Sequence, residues 1–116
     1  MTTYEIIVDY TWQNWIVGTI DGMEFEAKVY DTGSKFGIDG GRISKLAVCR
    51  TQPHGEIIAY ERGWEVFPDN SENKDILDAL LRFCAQLPAC DDWKDALRTG
   101  QAFLVTDDEV LEWEDP

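Results

Sequence analysis

The sequence predicts an α+β fold: an antiparallel β-sheet meander of four to five strands, one main amphipathic helix packed on one face, and a short C-terminal helical or acidic segment. Three observations predict it. Apolar and polar residues alternate over most of residues 1–62, an Asp-Gly pair separates two of the alternating runs, and a longer run further along has its apolar residues at helical spacing. At 116 residues the chain is expected to form a single domain, made of the meander (1–64), a helical part (65–100) and a short strand with an acidic tail (101–116).

The N-terminal half contains five stretches with the composition of β-strands. In the first stretch, Ile6, Val8 and Tyr10 are expected to share one face. Asp21-Gly22 lies between the second and third stretches, and it predicts a hairpin because a type I′ turn needs φ > 0 at both central residues. The predicted strands cover residues 3–10, 14–20, 23–30, 42–50 and 56–63.

A helix is predicted over residues 75–87, where apolar residues recur at i, i+3, i+4 and i+7 and would bury one face. Asn70 or Ser71 can cap its start, Glu72 suits the positively polarised first turn, and Pro88 ends it. The remaining predictions are a short second helix over residues 91–98, a last short strand over 101–106, and a short acidic helix or tail over 107–116.

The net charge of −13 is concentrated in the C-terminal half, because residues 63–116 hold fourteen acidic and only four basic residues. A field of this sign repels phosphate backbones, so direct nucleic-acid binding is disfavoured and a basic partner is favoured. No apolar run approaches the roughly 20 residues that a bilayer span needs. The N-terminus lacks the pattern of a secretory signal, so a cytoplasmic location is expected.

Neither a metal nor another cofactor is expected. The three cysteines, Cys49, Cys84 and Cys90, form no C-x-x-C pair, and the single histidine, His54, stands in a predicted turn. An odd number of cysteines without such a framework is typical of a reducing compartment. The stretch DNSENKD has oxygen ligands at calcium-loop spacing, but Lys74 replaces the glycine needed at the sixth position.

The glycine-rich stretch DTGSKFGIDGGR admits three interpretations. Its first four letters match the catalytic loop of aspartic proteases, but those enzymes need a second carboxylate, so no catalytic residue is assigned. The P-loop spacing is absent, although a backbone nest with Asp31, Lys35 and Arg42 as its polar groups would bind a small ligand or anion. The third interpretation is a structural loop, in which glycines allow sharp turns and Phe36 and Ile38 pack onto the core.

The acidic tail is the predicted partner-binding segment. Trp113 is an aromatic residue surrounded by acids, and this pattern suits docking on a basic, apolar-lined groove. The alternative is a tail that folds its apolar residues back on the core. The predicted contact residues are Asp107, Asp108, Glu109, Glu112, Trp113 and Glu114. Core or core-edge positions are expected for the other four tryptophans, Trp12, Trp15, Trp64 and Trp93.

The sequence KVYDTGSKFGIDGGRISKL, followed by ERGW, resembles a family of small uncharacterised proteins of bacteria and their phages. The shared pattern is G-x-I-x-G-x-x-F-x-x-K-x-Y-D-x-G-S-x-F-G-I-x-G-G-R-I-S-K-L with a later R-G-W, matched here from Gly18 through Leu46 and at residues 62–64. The resemblance implies a phage or mobile-element context and no assigned activity. Members of that family tend to end after one helix, which implies that the segment from Cys90 onward is an addition that could carry a specialised function.

These observations predict a non-enzymatic acidic protein, encoded by a phage or mobile element, that binds and inhibits a basic host protein. A nucleic-acid-binding protein of host defence would suit an inhibitor of the anti-CRISPR, DNA-mimic type. Two other classes are open. One is a small-ligand, anion-binding or enzymatic domain that uses the glycine-rich loop. The other is a phage structural or assembly component, with homodimerisation through a sheet edge as one route.

Overall fold

The computed structural model describes residues 3–106 and 110–113, and it shows one antiparallel β-sheet with one long helix, which confirms the α+β class. The strands are β1 (Tyr4–Trp12), β2 (Trp15–Ile20), β3 (Met23–Val29), β4 (Ile43–Thr51), β5 (His54–Glu61), β6 (Trp64–Val66), β7 (Gln101–Val105) and β8 (Val110–Trp113). The helices are α1 (Ser71–Ala85) and the single turn α2 (Trp93–Ala96), which follows a 3-10 turn at Cys90–Asp92. The described sheet therefore has eight strands, in the order β6-β5-β4-β3-β2-β1-β7-β8, and the prediction of four to five was wrong.

The hairpin between β2 and β3 forms as predicted. Asp21 and Gly22 have φ values of 48° and 81°, which is the left-handed conformation that the turn requires. The Asp21 carboxylate also accepts a hydrogen bond from the backbone N–H of Glu5 at 2.7 Å. The turn is thereby tied to the neighbouring strand β1.

Strand β1 departs from simple alternation because its pairing with β2 shifts register between Val8 and Tyr10. Ile6 and Val8 are fully buried, whereas Tyr10 is 56% exposed. The expectation that all three share one face was therefore wrong for Tyr10, because a β-bulge turns the following side chains over.

Helix α1 covers one face of the sheet. Asn70 caps its start, since the side-chain oxygen accepts a hydrogen bond from the N–H of Asn73 at 2.8 Å. Ile76, Leu80 and Phe83 are buried in the same cluster as the inward-facing residues of the strands. Neither α1 nor any other helix among the described residues is long and apolar enough to cross a bilayer.

Residues between Trp93 and Val105 are part of the core. Strand β7 pairs antiparallel with β1, and Ile6 lies opposite Phe103. Trp93, Phe103 and Val105 are 2%, 6% and 0% exposed. The short strand over 101–106 was predicted. Strands β6 and β8 were not predicted, because residues 64–66 were assigned to a linker and residues 110–113 to a helix or tail. Strands of three or four residues are too short to show a clear alternation of apolar and polar residues.

The tryptophans occupy different environments. Trp93 is buried, and its indole N–H donates to the carbonyl of Pro88 at 3.1 Å. Trp15 is half-buried, and Trp64 is 38% exposed at the edge of the sheet. Trp12 is 62% exposed, so the core or core-edge position predicted for it was wrong.

Candidate binding surfaces

The face of the sheet that α1 leaves uncovered carries an acidic surface. Along β3, Phe25 and Ala27 are buried while Glu24 and Glu26 are exposed, as the period of two dictates. The register places Glu24 opposite Cys49 of β4, and Cys49 opposite Glu56 of β5. Three glutamates from two strands therefore surround one half-buried thiol.

Two clefts of about 250 and 450 Å³ lie on this face. Both are lined by Glu26, Ala47 and Glu56, so they form one continuous depression, which we call the acidic trough. Small residues such as Gly18 and Ala47 leave room for it between longer side chains. Its acidic lining residues are Asp9, Glu24, Glu26, Glu56, Glu61 and Glu65.

The acidic trough has a strongly negative field. Among the described residues that line it, Lys45 is the one cation, and its ammonium is already paired with Glu61 at 3.1 Å. Burial raises the pKa of the Cys49 thiol, and the neighbouring carboxylates of Glu56, Glu24 and Glu26 raise it further. The same field would attract a cationic group placed in the trough.

The sequence did not single out the acidic trough as a site. Its acids are spread over more than fifty residues of chain, and all but Glu65 lie in residues 1–62, where nine acids and six bases leave little net charge. The alternation of Glu24 and Glu26 with buried residues was the available signal, since it predicted a solvated acidic face on one strand. Which other strands extend that face depends on the pairing.

The glycine-rich loop is anchored to the C-terminal end of α1. The Arg42 guanidinium donates hydrogen bonds to the carbonyls of Tyr30, Cys84, Leu87 and Pro88. These include carbonyls that the last turn of a helix leaves without partners, so Arg42 closes the helix end.

The other two polar groups of the predicted loop site have different partners. The Asp31 carboxylate accepts a hydrogen bond from the N–H of Cys90 at 2.7 Å. The Lys35 ammonium lies 5.1 Å from the centre of the Phe36 ring. Asp31 and Arg42 thus both bind backbone near the end of α1, while Lys35 points to an aromatic ring.

The glycines of this loop allow close backbone packing. A Cβ atom on Gly33 would lie 2.4 Å from the carbonyl oxygen of Gly40, and one on Gly37 would lie 1.9 Å from that of Gly41. Ile38 is buried as expected of a structural loop, but Phe36 is 50% exposed, so its predicted packing onto the core was wrong.

Most of the predicted partner-binding residues of the tail are not among the residues that the structure describes. Asp107, Asp108, Glu109 and Glu114 lie outside the described residues. Glu112 and Trp113 belong to β8, where their backbones pair with Phe103 and Ala102 of β7. The segment that holds these two residues is thus an edge strand of the sheet.

The free thiols have raised pKa values. Burial raises the pKa of Cys84 to about 12, although the charge of Arg42 opposes the shift. Burial also raises the pKa of Cys90, and Asp31 and Asp91 add to that rise. A raised pKa leaves less of the reactive thiolate. Among the side chains that the structure describes, no three of His, Cys, Asp or Glu are placed to hold a metal ion.

The structure defines a small α+β domain with an open antiparallel sheet, one face of which lies under a helix while the other carries the acidic trough. The chain belongs to the family described as a domain of unknown function (DUF7678), whose model matches residues 14–85. That range runs from β2 to the end of α1, and β1, β7 and β8 lie outside it. No curated protein and no solved structure matches the chain.

Proposed function

We propose that this protein is a non-enzymatic binding protein whose acidic trough receives a basic surface of another protein. The observation that carries the proposal is the trough itself, a depression on the free face of the sheet with six acidic lining residues and one already paired lysine. The sheet fixes the backbone positions from which these side chains extend, which favours specific binding over loose attraction. Burial raises the pKa of Cys49, and the carboxylates of Glu56, Glu24 and Glu26 raise it further, as a negative field at this thiol would.

The spacing of the carboxylates suits a partner that normally binds nucleic acid. Glu24 and Glu26 are alternate residues of one strand, so their Cα atoms are about 7 Å apart, and Glu56 lies two strands away at about 10 Å. Such a regular array of negative charges would pair with the cations of a basic channel as a phosphate backbone does. In the phage setting that the resemblance implies, the partner would be a basic host-defence protein, and occupation of its channel would inhibit it.

The tail acids are a second contact in this proposal. The strand order places β8 at the edge opposite β6, whereas the trough extends from β1 to β6. A partner that covers the trough would meet the tail only if its basic surface spans most of the sheet. The trough is therefore expected to contribute the larger share of the affinity.

A matched pair of triple variants tests the proposal. Glu24→Gln, Glu26→Gln and Glu56→Gln together neutralise the trough, while Asp69→Asn, Asp75→Asn and Asp78→Asn remove the same charge from exposed positions at and on α1. The partner is first captured from host lysate on the immobilised wild-type protein, identified and purified. Its Kd for each variant is then measured at 50 and 300 mM NaCl.

The trough variant is expected to bind about tenfold more weakly, since three lost charge pairs contribute roughly 0.5 kcal/mol each. It should also show a flatter dependence of Kd on salt, while the α1 variant stays close to wild type. Equal weakening by the two triple variants would contradict a role for the trough. So would loss of binding on neutralising Asp107, Asp108, Glu109, Glu112 and Glu114 alone.

A further inference from the structure

A separate cleft of about 480 Å³ lies beside the glycine-rich loop, at the ends of β3, β4 and β5. Loop and strand residues line it, including Asn14, Tyr30, Ser34, Phe36, Ser44 and Arg62. None of its lining residues belongs to the acidic trough. Its volume falls within the range typical of small-molecule sites.

Two cations stand at this cleft in a protein of net charge −13. Arg62 lines it, and the Lys28 ammonium lies 5.6 Å from the centre of the Tyr30 ring. Neither cation forms an ion pair with any residue that the structure describes. The Lys28 side chain, as hydrogen-bond donor and as charge, lowers the pKa of the Tyr30 hydroxyl, and the charge of Arg62 adds to the effect. Two cations therefore act on this one hydroxyl.

One acidic residue lines the cleft, and it is engaged elsewhere. Asp31 accepts the hydrogen bond from the N–H of Cys90, beyond the end of α1. Lys28 and Arg62 form no ion pair among the described residues, so they are the charged donors that the cleft offers to a ligand.

Ser44 supplies a buried hydroxyl at the same place. It is 3% exposed, and its Oγ has no hydrogen-bond partner of ordinary geometry among the described residues, although it lies close enough to the Tyr30 hydroxyl to affect the pKa of that group. It occupies the point where the β3–β4 pairing shifts register, which buries two consecutive residues, Ile43 and Ser44. A hydroxyl at the wall of the cleft can donate a hydrogen bond to an oxygen atom of a ligand.

Arg62 is held in place by its backbone. Its φ is 59°, an uncommon conformation for a residue other than glycine, and its N–H donates to the carbonyl of Ser44 at 3.1 Å. Its guanidinium lies 5.9 Å from the centre of the half-exposed Phe36 ring. The charged head thus lies beside an exposed aromatic ring, and the Arg62 backbone is bonded to that of Ser44 in the same cleft.

We infer that this cleft binds the phosphate group of a small phosphate monoester. Arg62 and Lys28 provide the charged donors, the hydroxyls of Ser44 and Tyr30 provide neutral donors, and the Phe36 ring offers an apolar wall for the organic part. The arginine that serves this site is therefore Arg62, because the guanidinium of Arg42 is bound to the end of α1. This site is independent of the trough and of its partner.

The test is a titration of the ¹⁵N-labelled protein with phenyl phosphate, inorganic phosphate and phenol, followed by NMR. Phenyl phosphate should give saturable shifts at residues 32–36, Ser44 and Arg62, inorganic phosphate should bind several-fold more weakly, and phenol should not saturate. Arg62→Gln should weaken phenyl phosphate at least tenfold, and Ser44→Ala several-fold. Lys74→Gln is the matched control, because Lys74 is a cation over another ring, that of Phe67, and should leave the affinity within twofold.

The spectra also report whether each variant is folded, so a lost site can be told from a lost fold. Absence of saturable shifts with phenyl phosphate would overturn the inference, as would equal weakening by Arg62→Gln and Lys74→Gln. Equal affinity for inorganic and phenyl phosphate would overturn the assignment to a monoester. None of these outcomes depends on binding at the acidic trough.

Discussion

Arg42 illustrates what the sequence can and cannot specify about a single residue. A cation beside four glycines predicts an anion site, but its guanidinium is bound to main-chain carbonyls more than forty residues away along the chain. The sequence does not show which carbonyls will accept these hydrogen bonds, because every residue has one. The glycines were recognised correctly as a requirement of the backbone. The requirement arises because the backbones of Gly37 and Gly41 lie too close together to leave room for a Cβ atom.

Replacement of Arg42 by Lys should destabilise the fold by about 2 kcal/mol or more. Lysine keeps the charge but cannot present several N–H groups in a fixed plane, so some carbonyls at the end of α1 lose their donor. The measurement is the urea midpoint followed by circular dichroism. Arg98→Lys is the control, since Arg98 is an exposed residue and should change stability by less than about 0.5 kcal/mol. Equal midpoints for the two variants would show that Arg42 does not stabilise the helix end.

At the scale of elements, local patterns predicted the parts whose cause is local. The β2–β3 hairpin follows from Asp21-Gly22, and the start of α1 follows from the cap at Asn70. Strands β6 and β8 were missed because they are three and four residues long and form by pairing with a neighbour. The place of β7 beside β1 could not be deduced either, because nothing within residues 101–105 specifies which strand they join.

The C-terminal segment should therefore be needed for stability, although the family match ends before it. Phe103→Ala is expected to cost about 3 to 4 kcal/mol, because Phe103 is 6% exposed and its ring lies 5.0 Å from that of Phe83 under the sheet. Leu104→Ala, one residue along on the opposite face, should cost much less, since Leu104 is only half-buried. Urea denaturation of both variants checks this. Similar losses would mean that β7 is not packed on the core through Phe103.

At the scale of the whole molecule, the charges are distributed unevenly over a body of 35 × 31 × 26 Å. Carboxylates line the trough, and the cations Lys28, Lys35 and Arg62 lie near the glycine-rich loop. The charge count predicts a negative field centred on the C-terminal half, whereas the structure groups six carboxylates in the trough. The acids of β3 and β5 come together only through strand pairing, which a linear count of charges does not register.

A net charge of −13 in so small a body should make the fold more stable in salt. At 10 mM ionic strength the Debye length is about 30 Å, which spans the molecule, and at 0.1 M it is about 10 Å, so added salt screens repulsion between distant carboxylates. We expect Tm to rise by about 4 °C between 10 and 300 mM NaCl, equivalent to about 1 kcal/mol.

The trough variant should have a higher Tm than the wild type in low salt, and its Tm should rise less as salt is added. The Asp69, Asp75 and Asp78 variant has the same net charge as the trough variant. Its Tm in low salt should rise less above that of the wild type, because the neutralised groups lie outside the trough. A Tm that is constant or falls with salt, or equal behaviour of the two variants, would show that repulsion within the trough does not limit the stability of the fold.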